Sequence, residues 1–229
     1  MLITIHQPEF MPWAGFFNKI ARADQFVILD SVKFQKNYFD NRCRIKQNGE
    51  AKWVTVPVQG RDAGLPIKDV LIADAGAWER KAFNAFFFNY GKAPFWKDHA
   101  AFLEALFAPG RWAKLAAMNE AIIEHVCHYL ELPWRARRSS EMGVDSKGSQ
   151  LVLDLCLKAG ADSYLSGAFG RDYLDAKAFE DAGVKLIFQD YAPPVYEQFN
   201  GPYVGPLSVF DMLLNLGRDA RALIEGVKA

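Results

Sequence analysis

The chain has 229 residues, 51% of them apolar, and its 27 basic side chains are matched by 27 acidic ones, so it can bury a large core and carries no net field to hold nucleic acid. No apolar run approaches the ~18 residues needed to span a bilayer, and the first residues read as a strand rather than a basic segment leading an apolar signal region; a cytoplasmic globular protein is expected. Cys43, Cys127 and Cys156 are an odd number without framework spacing, expected to be reduced and structural.

Residues 2–5 form a short apolar run expected as a buried strand, and residues 14–23 repeat apolar positions at helical spacing. Between them lies His6-Gln7-Pro8-Glu9-Phe10-Met11-Pro12-Trp13, with Gly15 opening the helix. This polar loop, stiffened by two prolines, leaves the carboxyl end of a strand, the edge at which open α/β sheets take small molecules. A histidine there can act as general base, as proton donor to a leaving oxygen, or as neutral donor to a phosphate. The first N–H groups of the helix at Gly15 are unpaired and can receive an anion. His6 is therefore the candidate catalytic residue, with Gln7 and Gly15 as substrate contacts. A hydrogen bond that merely caps the strand is the simpler role for His6, and Glu9 is expected to be solvated.

Residues 25–30 read as a second strand and complete a right-handed strand–helix–strand unit, which implies parallel pairing. A hairpin follows: residues 42–46 and 52–58 flank Gln47-Asn48-Gly49-Glu50, and Asn-Gly is the strongest short hairpin signal. Arg42, Arg44 and Lys46 alternate along the first of these strands, so three positive heads share a face, with Lys33, Gln35 and Lys36 ahead of them. Such a row suits phosphates, while a charged edge strand also guards against aggregation. Glycine-containing residues 60–66 are expected to form a mobile cover, and residues 67–72 a further strand.

Helices are expected at 78–90, 97–107 and 112–130, punctuated by Pro94, Pro109-Gly110 and Pro133, as an insertion of about residues 77–132. The α/β rhythm then returns, with strands at 135–139, 163–166 and 184–189 and helices at 147–159, 174–182 and 207–216. Ser139-Ser140-Glu141 and Asp145-Ser146-Lys147-Gly148-Ser149 concentrate hydroxyls, glycine and a cation at a helix start, which suits a phosphate or carboxylate, although capping by Asp145 or Ser146 accounts for part of this pattern. Ser140 and Lys147 are retained as substrate-binding candidates. Ser166, Gly167 and Arg171 leave a strand at the same edge as His6 if the two strands are parallel, and join them. His125 and His128 share one helix without a second ligand pair, which argues against zinc and leaves no metal site. No phosphate-loop, nucleophile-elbow or dinucleotide glycine pattern is present. Trp134 with Arg135, Arg137 and Arg138 reads as an amphipathic turn rather than a stacking patch for nucleic acid. Tyr196, Gln198 and Asp211 either close the site or pack it. The fold class is α/β: one domain over residues 1–229, with a mainly parallel sheet of Rossmann-like or nucleotidyltransferase-like topology, an antiparallel β-hairpin and a helical insertion.

His6-Gln7-Pro8 with Pro12-Trp13 and Gly15, then Asp24, Asp30, Asn41-Arg42, Ile45-Lys46, Trp53 and Val56-Pro57-Val58, carry a resemblance that continues through Tyr90 with Pro94, Ser139-Ser140, Tyr164 to Gly167, Tyr173 to Asp175, Tyr196 with Gln198, Leu207-Ser208 and Asp211. Together they resemble the WbqC-like protein family over nearly the whole chain. The resemblance implies a place in surface-polysaccharide and O-antigen assembly, and transfer of an acyl or aminoacyl group, glycyl included, to an amino sugar nucleotide. It also keeps Trp13, Asn41 and Arg42 among the substrate contacts. The first strand, loop and helix echo ATP-binding nucleotidyltransferases and pantothenate-synthetase-type ligases, but those place a second histidine directly after the glycine, where this chain has Phe16. Whether ATP with Mg²⁺ activates the carboxylate thus stays open, as does the oligomeric state. The competing reading is a non-catalytic protein that binds a nucleotide sugar for partner enzymes.

Overall fold

The computed structural model describes residues 1–60, 64–74 and 76–226. Its strands are β1 (Leu2–His6), β2 (Gln25–Ile28), β3 (Arg42–Gln47), β4 (Glu50–Thr55), β5 (Ala136–Arg138), β6 (Ser163–Ser166) and β7 (Lys185–Phe188). The helices are α1 (Ala14–Arg22), α2 (Trp78–Tyr90), α3 (Trp96–Leu106), α4 (Leu115–Tyr129), α5 (Gly148–Ala159), α6 (Ala176–Asp181), α7 (Val209–Leu216) and α8 (Ala220–Glu225).

Five strands form a parallel sheet in the order β5-β2-β1-β6-β7. Counted by appearance within the sheet, this is 3-2-1-4-5, so the direction of strand addition reverses at β1. The crevice at the carboxyl ends of β1 and β6 is therefore the topological switch point, where doubly wound sheets bind ligands. The expected α/β class is what is found.

The two faces of the sheet divide the core by strand alternation. Ile3, Ile5 and Val27 face α5 and α6, packing with Leu151, Leu155 and Phe179. Phe26 and Ile28 face the other way and join Phe16, Phe17 and Ile20 of α1, Ile45 of the hairpin, and the helices α2–α4, α7 and α8. Each large apolar side chain fully buried there contributes ~1.5–3 kcal/mol. By the same alternation His6 projects toward α1. Lying between the sheet and α8, α1 is buried from Ala14 to Ile20, and Asn18 Nδ2 donates to Ile224 O at 2.8 Å.

β3 and β4 pair antiparallel from Arg42↔Thr55 to Gln47↔Glu50. Asn48 and Gly49 between them have φ of 53° and 76°, the positive values that a tight two-residue hairpin requires. The hairpin is tied to the first loop through α7: Ser208 N donates to Arg44 O and Val209 N to Pro12 O, both at 2.8 Å.

Two expectations require correction. Residues 67–72 do not form a strand; Ile67–Asp69 is a short 3₁₀ turn, and Leu71 and Ile72 make isolated bridges to Lys114 and Val58. Apolar character there reflects burial of Ile67 and Val70, not pairing. The expected elements also omit α8, whose six residues are too few for a periodic signal. The expected mobile cover at residues 60–66 falls in part on residues 61–63, outside the described residues. Cys43, Cys127 and Cys156 are free and buried, and burial pushes their thiols up, as expected for inert structural cysteines.

His125 meets another histidine instead of a metal-ligand set: its Nε2 lies 3.1 Å from His99 Nδ1, and its ring stacks on Phe102 at 3.6 Å. Burial holds both imidazoles down at about 4. The unfolded chain takes up protons near pH 6.5 that the fold refuses until about 4, so stability present above pH 6.5 is lost as pH falls through that window. His125→Phe, which keeps the stack, is expected to flatten the decline of melting temperature between pH 6.5 and 4; an unchanged slope in a thermal melt series would refute this role of the pair.

Candidate functional site

His6 ends β1 and is half-buried, with its Nδ1 3.1 Å from Gln7 O. A carbonyl only accepts, so this contact puts the proton on Nδ1 and leaves Nε2 with a lone pair. The ring meets Phe16 edge-on at 4.9 Å, and Glu9 Oε1 lies 3.8 Å from Nδ1. Burial, with Lys19 adding positive charge nearby, lowers His6 to about 3. The imidazole is thus neutral at physiological pH.

Glu9 corrects the expectation from sequence. It is not solvated but 7% exposed, and burial raises its carboxyl to about 8 against the opposing pull of Lys19. Lys19 is a residue that sequence reasoning missed. It is 3% exposed in the middle of α1, and burial lowers it to about 8, with Glu9 pulling it back up. The available signal was its setting: a lysine among Phe16, Phe17 and Ile20 in a helix joining two buried strands has no solvent to reach. Its Nζ lies 4.0 Å from where a side chain on Gly167 would begin, so the end of β6 closes over it.

Asp40 approaches from the segment ahead of the hairpin, and Arg42 opens β3. Phe10 N donates to Phe39 O at 2.9 Å, and Asn119 Nδ2 bridges Pro8 O and Asp40 O at 2.8 and 2.7 Å. Asp40 is fully buried, and burial raises it to about 6. The Arg42 guanidinium lies over the Trp53 ring at 4.1 Å. Among the described residues, five buried side-chain polar atoms lack a hydrogen-bond partner, and three of them, Lys19 Nζ, Asp40 Oδ1 and Asn119 Oδ1, belong to elements packed on the first loop, while a fourth, Arg42 Nε, lies two residues beyond Asp40. Unpaired buried polar groups cost ~1–3 kcal/mol each, more when charged. An orphaned cationic donor and two orphaned acceptors around one loop are what a polar ligand would satisfy.

The remaining candidates divide. Gln7 is half-buried beside His6. Gly15 serves Trp13, since a Cβ on it would come within 2.2 Å of the indole; that ring covers the start of α1 and packs on Tyr191 at 5.8 Å. Asn41 is occupied locally, donating to Val56 O at 2.9 Å and accepting from Asn37 N. Ser140 is engaged by Asp30: its hydroxyl donates to Asp30 Oδ2 at 2.7 Å and its N–H to Oδ1 at 2.9 Å, which joins the ends of β2 and β5. Lys147 is exposed at the start of α5, where Ser146 donates to Asp154 and no side chain caps the helix. Ser166 is buried and donates to Gly167 O at 3.1 Å. Arg171 is exposed and lies over the Phe188 ring at 4.3 Å. The expected row of three cations is also broken: Arg44 stays with Trp53 at 5.6 Å, whereas Lys46 is withdrawn to Gly201 O and Pro202 O.

Tyr196, Gln198 and Asp211 form a second polar centre. Asp211 accepts from Tyr90 Oη at 2.7 Å, Tyr196 Oη at 2.6 Å and Gln198 Nε2 at 2.8 Å.

The family model of the WbqC-like protein family matches residues 7–223. An uncharacterized protein of Mycobacterium tuberculosis, Rv1507c, is 30% identical over 220 residues, covering 95% of each chain. No solved structure matches the chain. No helix among the described residues is long and apolar enough to cross a membrane. The chain belongs to the WbqC-like protein family.

Proposed function

We propose that this member of the WbqC-like family is a cytoplasmic transferase of surface-polysaccharide and O-antigen assembly that joins an acyl or aminoacyl group, glycyl among the candidates, to the amine of an amino sugar nucleotide. The observation that carries the reading is the pairing of orphans at the switch point. Lys19 Nζ is a donor without an acceptor, as a pyrophosphate would require, and Arg42 Nε, likewise unpaired, would join it on the ligand; Asp40 Oδ1 and Asn119 Oδ1 are acceptors without donors, as the amine and hydroxyls of a sugar would require.

Amide formation needs the amine nitrogen to attack an activated carbonyl carbon, the leaving group to depart with the bonding pair, and the amine proton to be taken up. His6 Nε2 is the acceptor for that proton. Glu9, 3.8 Å from Nδ1, would stabilise the imidazolium once ionised, and the cations would offset charge on the departing group. The same cations fit the phosphates of ATP if the carboxylate is activated in the site; Mg²⁺ would then take its ligands chiefly from phosphate oxygens and water. Gln7 and Trp13, on the same loop as His6, would contact the ligand. Ser166, Gly167, Lys147 and Arg171 lie on elements leaving the same sheet edge, where they would extend the binding surface.

The test is mass spectrometry of the nucleotide-sugar pool in cells lacking the gene, complemented with wild type or His6→Ala. Loss of the gene should accumulate the unacylated amino sugar nucleotide, and His6→Ala should leave it accumulated, with turnover of the purified variant down ~10²–10⁴-fold and its fold intact. An unchanged pool in the deletion strain would favour a non-catalytic binding role. Full complementation by His6→Ala would remove His6 from the chemistry.

A further inference from the structure

At the far end of the hairpin from the Lys19 centre lies a cavity of about 230 Å³, lined among others by Lys46, Asn48, Phe88, Asn89, Asn200 and Asn215. We propose that it is a second binding site, for a single uncharged saccharide ring. It is independent of the transferase reading, because none of His6, Lys19, Asp40 and Asn119 is among its lining residues.

The chemistry of the walls selects the ligand. Asp211 on the floor already has both oxygens engaged by Tyr90, Tyr196 and Gln198, so it rigidifies the pocket without offering a free anionic site. Lys46 Nζ donates to Gly201 O at 3.0 Å and Pro202 O at 2.7 Å. An ammonium has three protons, so one remains for a hydroxyl of the ligand. One buried carboxylate and one ammonium offset each other's charge, which removes the field that would select phosphate. The side-chain amides are oriented: Asn89 donates to Ala85 O at 2.7 Å, Asn200 to Asn89 O at 2.9 Å and Asn215 to Asp211 O at 2.7 Å. Amides donate and accept, as vicinal hydroxyls do. Phe88 is 76% exposed and Phe199 44%, and both line the cavity. Exposed rings beside polar amides offer a face for the C–H side of a pyranose. The volume lies under the ~300–1,000 Å³ of pockets for drug-sized ligands, which suits one ring and not a nucleotide.

The test is ¹H–¹⁵N chemical-shift mapping of the full chain with glucose, galactose, mannose, rhamnose and N-acetylglucosamine, each to about 50 mM, above a millimolar Kd. At least one sugar should shift residues 46–49, 88–90, 198–201 and 211–215, with affinity reduced ~10-fold in Phe88→Ala and in Asn200→Ala. Both of these positions are exposed, so folding is retained. Lys19→Met should bind the sugar as wild type does, and inorganic phosphate should not shift these residues. No binding by any of the five, shifts elsewhere, or affinity untouched by both variants would overturn the proposal, and none of these outcomes bears on the His6 test.

Discussion

Lys19→Met is expected to raise the melting temperature by a few °C and to weaken binding of a pyrophosphate-bearing ligand by ~10²–10³-fold. The two effects have one cause. Methionine fills the channel of the lysine stem without bringing a charge into an apolar helix, and replacing a buried charge with an apolar group of similar volume is often neutral or stabilising. In a chain of this size 1 kcal/mol corresponds to ~2–4 °C. The Nζ that is lost makes no hydrogen bond in the fold, so its proposed value lies in the ligand, and truncating one member of a buried hydrogen-bonded charge pair costs ~2–5 kcal/mol of binding, a range that spans ~10²–10³-fold in affinity. Thermal melts together with calorimetric titration check both halves. A structural lysine would behave oppositely, losing stability and leaving binding intact.

Asp211→Ala is expected to cost far more stability than a typical point substitution, ~3–5 kcal/mol, or on the order of 10 °C. Asp211 is 1% exposed, and burial raises its carboxyl while the hydrogen bonds from Tyr196, Tyr90 and Gln198 hold it down. Truncation strands two hydroxyls and an amide in the interior, each with its own desolvation penalty. These donors come from α2 and from the segment after β7, so their loss also frees the chain that packs over α7. Asp211→Asn keeps an acceptor oxygen and is expected to cost less than half as much. Chemical denaturation of the two variants measures the difference, and equal losses would mean that the geometry of the network is not what stabilises it.

Local signals carried much of the fold. Asn48-Gly49 fixed the hairpin because both residues must take positive φ, and the apolar runs of β1 and β2 read as buried strands because helices cover both faces. Residues 67–72 misled because burial in an irregular segment produces the same apolar run as burial in a strand. The place of His6 at a strand end was legible, because local sequence determines it. The burial of Lys19, Asp40 and Asn119 was not, because it comes from three separate elements converging on one loop. Glu9 was misread because a carboxylate in a polar loop is ordinarily solvated, and only the closure of α1 and the segment at Phe39 over that loop buries it. Ser140 looked available until the fold brought Asp30 against it, 110 positions away in the chain.

The proposed anion site at the switch point between β1 and β6, completed by Lys19, is tested most directly by calorimetric titration of inorganic pyrophosphate into wild type and Lys19→Met at pH 8, in two buffers of different ionisation enthalpy. Burial holds Lys19 at about 8, so roughly half of these side chains lack a proton at that pH, and an anion settling beside them raises the value again. Saturable binding to wild type is expected, with proton uptake in excess of any seen with the variant, and binding at least ~30-fold weaker in Lys19→Met. Equal affinity and equal proton uptake in the two proteins, or no binding to wild type, would contradict the assignment of Lys19 to an anion site.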